Sequence, residues 1–108
     1  MKQEEVQNIA FQIIIAAGEG KTLTHEAMQL MRDYKFEEAQ SKLEEANESF
    51  IRAHNIQTEL LQSYAQGEEI IIEIIMVHAQ DHLMVGMSYY DTANDLLDVY
   101  KKIAEKAD

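Results

Sequence analysis

Apolar residues recur at helical spacing along the whole chain and define three long amphipathic segments. The first runs from about Glu4 to Met31, the second from about Phe36 to Gln66, and the third from about Glu68 to Lys106. The chain has no proline and only four glycines, so nothing divides it into many short strands. The pattern predicts one all-α domain over residues 1–108, an antiparallel up-down-up bundle of three helices.

Polar residues and glycines set the expected helix ends. The sequence Asp33–Tyr34–Lys35 predicts the first turn, and Gly67 is placed to end the second helix, as a glycine just past a helix often does. Gly18 and Gly20 each weaken the first helix by about 1 kcal/mol relative to alanine. The sequence therefore allows a kink or a break in the first helix at these glycines.

The third segment carries two apolar stripes instead of one. The stripe expected to face the core is Ile72, Ile75, Ala79, His82, Gly86, Tyr89, Ala93, Leu96, Tyr100 and Ile103. A second stripe, named here the outer stripe, consists of Ile71, Ile74, His78, Asp81, Val85 and Ser88. Two stripes favour a helix that also packs against another subunit, although a wide core face on a monomer would give the same pattern.

Charge and composition narrow the range of partners. The formal net charge is -11, which disfavours binding to nucleic acid and to anionic lipid. The most apolar run, Ile70–Ala79, is interrupted by Glu73 and His78 and is far shorter than a membrane span of about 20 residues. The chain has no cysteine, and Met1–Val6 is polar and acidic, unlike a secretory signal. These features predict a cytoplasmic protein that binds other proteins.

The segment Met76–Met84 places several chemically capable groups in the most apolar helix. His78 and His82 are one helical turn apart, with Asp81 beside them. An imidazole here can act as a nucleophile, a base or a metal ligand. A zincin motif is excluded because Ala79 stands where its glutamate is required, and Gly20–Lys21–Thr22 lacks the other glycine of a P-loop.

These residues alone leave three interpretations open. The chain could transfer a group through an imidazole, bind a metal through His78, Asp81 and His82, or serve as a helical adaptor that transfers no group. On the second helix, His54 and Gln57 are also one turn apart, and a buried Gln57 amide would need a hydrogen-bond partner at such a site.

Three stretches resemble the lactose/cellobiose-type enzyme IIA subunits of the bacterial phosphoenolpyruvate-dependent sugar phosphotransferase system. The segment Val77–Met84 matches the active-site motif of that family, Ala53–Thr58 resembles its second recurrent stretch, and Ala17–Lys21 more loosely resembles its first. The resemblance covers nearly the whole chain. The sequence departs from the family at Val85, where a small hydroxyl residue is usual.

The resemblance implies a phosphotransferase with a phosphohistidine intermediate, assembled as a homotrimer. His78 would accept phosphate from the histidine phosphocarrier protein and pass it to a cysteine of the IIB component during uptake of lactose-, cellobiose- or chitobiose-class sugars. The sugar itself would not touch this subunit. Gln80, His82 and Gln57 are candidates to donate hydrogen bonds to the phosphoryl oxygens.

The resemblance also implies a metal site near the trimer axis. Asp81 would lie there with its two symmetry mates, and the carboxylates would need either a cation or protonation. Oxygen ligands favour a hard divalent ion, so magnesium is expected, with zinc able to compete if a histidine is near.

Overall fold

The computed structural model describes residues 1–107 and contains three long α-helices. Helix α1 covers Gln3–Arg32, α2 covers Phe36–Ala65 and α3 covers Ile74–Ala107. No strand occurs in the part of the chain that the structure describes. The predicted three-helix, all-α fold is therefore confirmed.

Two core clusters show that α1 and α3 run in the same direction while α2 runs against them. One cluster joins Val6 of α1, Leu60 of α2 and Met76 of α3. The other joins Ala27 of α1, Leu43 of α2 and Leu97 of α3. Early residues of α1 and α3 thus meet late residues of α2, which gives an up-down-up bundle measuring 60 × 20 × 18 Å.

Both helix ends that lead into connections are closed by the same backbone arrangement. After α1, Tyr34 adopts a φ of 59°, and the N–H of Lys35 donates to the carbonyl of Leu30 at 2.9 Å. After α2, Gly67 has a φ of 96°, and the N–H of Glu68 donates to the carbonyl of Ser63 at 3.1 Å. These are Schellman caps, and they confirm the turn and the glycine terminus that the sequence predicts.

The third helix begins at Ile74, later than the Glu68 expected from its apolar pattern. Residues 68–73 are irregular because Gly67 turns the chain out of α2 and the segment must reach the start of α3. Both carboxylate oxygens of Glu73 accept hydrogen bonds from α1, one from Gln3 and one from Gln7, each at 3.0 Å. Those bonds hold the segment against α1 and fix where α3 can start.

The core face of α3 also differs from the stripe predicted for it. The buried residues are Met76, Ala79, Leu83, Gly86, Ala93 and Leu97. Ile72 precedes the helix and is exposed, and Ile75, His82 and Leu96 are only partly buried. The face of α3 that meets α1 and α2 is therefore rotated by about one residue from the predicted stripe. In α1 and α2 the buried residues recur at three- and four-residue spacing, as the amphipathic pattern predicts, and Tyr64 near the end of α2 is exposed.

Helix α1 continues unbroken through Gly18 and Gly20. A Cβ on Gly20 would stand 2.6 Å from the Phe50 ring, and a Cβ on Gly86 of α3 would stand 2.7 Å from the same ring. No atom lies within 4 Å of a Cβ built on Gly18. Gly20 and Gly86 therefore let the Phe50 ring enter the bundle, and neither glycine breaks its helix.

Candidate functional site

His78 and His82 form a ring pair on the first turns of α3. Their ring centroids are 4.5 Å apart and their planes are inclined at 79°, an edge-on contact. Helical spacing brings the rings together, since residues four apart stack on one side of a helix. The predicted proximity of the two histidines is thus present in the fold.

The two rings lie in different environments. His78 is exposed, whereas His82 is partly buried and its Nδ1 atom has neither solvent contact nor a hydrogen-bond partner. Burial lowers the pKa of His82, and the positive charge of Lys21 lowers it further, as does His78, against a smaller opposite effect of Asp81. His82 is therefore held neutral, while His78 alone of the pair is open to a docking molecule.

The neighbouring polar residues point in different directions from α3. Asp81 is exposed on the same side as His78. Gln80 is partly buried, and its amide donates a weak hydrogen bond to the sulfur of Met76 at 3.5 Å. That bond joins two residues one helical turn apart, so the amide lies against α3 and is not directed at the ring of His78 or His82 by any hydrogen bond among the described residues.

The predicted residues on α2 are not drawn into the ring pair. Gln57 is partly buried, and among residues 1–107 no hydrogen bond links its amide to His78 or His82. His54 is exposed and lines a cleft of about 210 Å³ with Phe50, Met87 and Tyr90. The structure therefore joins His78, His82 and Asp81 and leaves the α2 pair apart.

A metal site made by one chain is not present. The described residues contain no group of three histidine, cysteine, aspartate or glutamate side chains that could hold an ion. The reason is visible at the motif, because His82 turns toward the interior while Asp81 faces solvent. This finding removes the interpretation in which His78, Asp81 and His82 of a single subunit chelate a metal.

Large apolar side chains are exposed on the turns of α3 that carry the ring pair and on the first half of α1. The exposed members are Phe11 and Ile15 of α1 together with Ile74, Val77, Met84 and Val85 of α3. Ile74 is the extreme case, with 87% of its surface exposed. Exposed large apolar side chains in this number are typical of a surface that contacts another protein.

Sequence reasoning missed Lys21 as a neighbour of this site. Its Cγ lies 3.0 Å from the position of a Cβ built on Gly86, one helical turn beyond His82. The relevant signal was the pair Gly20 and Gly86, two small residues on helices that pack together. Their shared level in the bundle becomes apparent only once the register of α1 against α3 is known.

No helix within residues 1–107 is both long enough and apolar enough to span a membrane.

Comparison with known proteins gives consistent matches. A family model described as the lactose/cellobiose specific IIA subunit of the PTS system matches residues 8–101. The lichenan-specific phosphotransferase enzyme IIA component of Bacillus subtilis is 43% identical over 95% of this chain and 94% of its own length. The lactose-specific EIIA component of Staphylococcus epidermidis is 40% identical over 94% of this chain and 98% of its own.

Solved structures agree with these sequence matches. The crystal structure of PtcA from S. mutans superposes with a TM-score of 0.92 at 50% identity, covering 94% of this chain and 99% of that one. A IIA(Chitobiose) subunit solved in complex with HPr has a TM-score of 0.80 at 22% identity, covering 92% of this chain and 96% of that one. At that identity the second likeness concerns the fold alone.

Proposed function

The chain belongs to the lactose/cellobiose-specific IIA subunits of the sugar phosphotransferase system, phosphotransfer components of sugar uptake, and on that basis we propose that His78 carries the phosphoryl group. The observation that supports this assignment is the exposure of the His78 ring beside a partly buried His82. A group that must reach two successive protein partners has to be accessible from solvent. His82 meets that condition less well, because its ring is partly buried and its Nδ1 has no solvent contact.

The first step moves a phosphoryl group between two imidazoles. The lone pair of an unprotonated ring nitrogen of His78 attacks the phosphorus of the donor's phosphohistidine in line. A P–N bond forms on His78 as the donor's P–N bond breaks, and the donor ring keeps the electron pair of the broken bond. Because the phosphorus is already activated on the donor, positioning and charge stabilisation provide most of the acceleration.

The second step reverses these roles. A cysteine thiolate of the IIB component attacks the phosphorus, an S–P bond forms, and the P–N bond breaks with its electron pair returning to the His78 ring. The ring is then ready for another cycle. The sugar is phosphorylated beyond this subunit, so no sugar contact is required of it.

Nearby donors would orient the phosphoryl oxygens. The Gln80 amide is held only by a weak bond to the Met76 sulfur, so it can be redirected at little cost. The neutral His82 ring has its Nδ1 buried without a partner, which leaves Nε2 as the nitrogen available to a phosphoryl group. Gln57 remains a predicted donor that would have to reach the site from α2.

We place this transfer in the cytoplasm, with the histidine phosphocarrier protein as donor and the IIB component as acceptor. The IIA(Chitobiose) subunit solved with HPr supports the choice of donor, because its fold is shared by this chain. The net charge of -11 suits partners with basic docking surfaces and disfavours nucleic acid.

We also propose that three copies assemble through the outer stripe of α3, with His78 left at the open edge of the interface, where its partners can reach it. Ile74 and Val85 are 87% and 58% exposed in the single chain, and Asp81 lies between them. Ile71 is also exposed but belongs to the irregular segment before α3, so it would contribute from outside the helix. A shared interface would cover apolar surface that a monomer leaves in water.

Three Asp81 side chains would be the residues that hold a divalent cation in such a trimer. One subunit offers a single exposed carboxylate there, so the site requires all three copies. Oxygen donors of this kind suit magnesium. The ion would offset most of the carboxylate charge and tie the subunits together.

The assignment of His78 is tested in a reconstituted phosphotransfer chain supplied with radiolabelled phosphoenolpyruvate. Wild type and His25→Gln, which removes another exposed imidazole, are expected to take up label, and His78→Gln is expected to take up none while melting normally. Label on His78→Gln, or label mapped to His82 in the wild type, would refute the assignment. A wild type that never accepts phosphate would favour a helical adaptor.

A further inference from the structure

Lys21 lies in the groove between α1 and α3, next to the ring pair. Its Cγ stands 3.0 Å from where a Cβ on Gly86 would be, so the missing side chain at Gly86 makes room for the lysine stem. Gly86 follows His82 by one helical turn on the same side of α3. The lysine therefore enters the site from α1 at the level just beyond His82.

The direction of the helices carries the ammonium group toward the histidines. Each Cα–Cβ bond tilts toward the N-terminal end of its helix, and α1 and α3 run in parallel. From Gly86, that direction leads to His82 and then to His78.

Lys21 has no carboxylate partner of its own. Within residues 1–107, the cations paired with carboxylates are Lys42, Arg52 and the terminal amine. The chain carries 9 lysines and arginines against 20 aspartates and glutamates. Basic residues are therefore scarce, and an unpaired one beside the histidine pair is not explained by their number. Its charge is available to an anion that arrives at the site.

We propose that the Lys21 ammonium group stabilises the phosphoryl group carried by His78. This inference rests on the proposed function, since it assigns the counter-charge of the phosphohistidine. A phosphoryl group adds a charge approaching -2 to a chain that is already strongly acidic. A nearby cation offsets that addition, and the offset weakens with distance because salt screens charges beyond about 10 Å.

The experiment compares Lys21→Met with Lys21→Arg and with Lys101→Met. The arginine variant keeps the charge, and Lys101→Met makes the same charge change at an exposed position near the far end of α3. The quantity measured is the equilibrium constant for phosphoryl exchange between each variant and the purified histidine phosphocarrier protein. An equilibrium constant reports the stability of the phosphorylated state and is unaffected by the rate of docking.

We expect Lys21→Met to lower that constant by about tenfold at low ionic strength, with a smaller loss at high salt. Lys21→Arg should stay within about twofold of wild type because it retains the charge, and Lys101→Met should not differ from it. All variants should melt at the wild-type temperature.

Two results would overturn the inference. One is a Lys21→Met variant that matches wild type in the exchange equilibrium. The other is a Lys21→Arg variant as impaired as Lys21→Met, which would indicate a packing role. In both cases the wild type still accepts phosphate, so the proposed function stands. A wild type that accepts none would overturn the proposed function and this inference together.

Discussion

The Phe50 ring is the side chain on which the close approach of the three helices depends. It reaches from α2 into positions that Cβ atoms on Gly20 of α1 and Gly86 of α3 would occupy, at 2.6 and 2.7 Å from the ring. Phe50 is 3% exposed, so the ring is packed among the three helices and away from solvent. Gly18, in the same helix as Gly20, would have no neighbour within 4 Å of an added Cβ and provides a natural reference.

Alanine should therefore have opposite effects at these glycines. We expect Gly20→Ala and Gly86→Ala each to lower the free energy of unfolding by about 1–2 kcal/mol, because overpacking outweighs the gain in helix propensity. Gly18→Ala should raise it by up to about 1 kcal/mol, since only propensity changes there. Urea denaturation at matched protein concentration measures all three. Equal effects at the three positions would show that the Phe50 contact is not responsible.

For single residues, the sequence predicted which side chains form the candidate site but not how deeply they are buried or which residues of other helices they contact. The His78–His82 contact follows from helical spacing, which is a local property. The burial of His82 and its nearness to Lys21 depend on the register between α1 and α3, which no local pattern encodes. The same is true of Phe50, whose partners lie on two other helices.

Among the elements, α3 is the one whose limits the sequence predicted least well. Its apolar pattern continues through Ile70, Ile71 and Ile72, yet these residues precede the helix. Branched isoleucines disfavour helix formation only slightly, so the apolar periodicity alone could not show where α3 begins. Tertiary contacts decide it, because Glu73 is bound to Gln3 and Gln7 and its carbonyl accepts the N–H of Val77 at 3.3 Å.

Glu73→Ala should loosen the connection without unfolding the bundle. Two side-chain hydrogen bonds are lost, each contributing about 1 kcal/mol or less at partly exposed positions. We expect faster amide hydrogen exchange in residues 68–76 and a decrease of about 1 kcal/mol in the free energy of unfolding. Glu69→Ala is the matched control, because its carboxylate makes no hydrogen bond or ion pair among the described residues. Equal exchange in both variants would contradict the anchoring role of Glu73.

For the molecule as a whole, the outer stripe of α3 exposes apolar side chains on an otherwise acidic chain. The chain is strongly acidic, but the surface around the outer stripe exposes Ile74, Val77 and Val85. The alternation of three and four residues predicted the three-helix fold because each helix satisfies it alone. The number of subunits could not be obtained in that way, since an exposed stripe indicates contact without giving a stoichiometry.

Assembly and metal binding can be tested together with Asp81→Leu. We expect sedimentation to give a three-subunit mass for wild type, and chelator to lower its melting temperature because three Asp81 carboxylates then repel one another. Asp81→Leu should remain a trimer and should not respond to chelator. A monomer at every concentration would contradict the assembly. A wild type indifferent to chelator, with no ion by elemental analysis, would contradict the metal site alone.

The contact of Phe50 with two glycines has a consequence for how this family can vary. Because one ring occupies the space of two absent side chains, positions 20, 50 and 86 constitute a single volume shared by three helices. A larger residue at 20 or 86 is compatible with the same backbone only if position 50 becomes smaller. Among relatives with this helix spacing, the residues at these three positions should therefore covary. A larger side chain on α1 or α3 should accompany a smaller one on α2, so that the total side-chain volume at the three positions stays nearly constant.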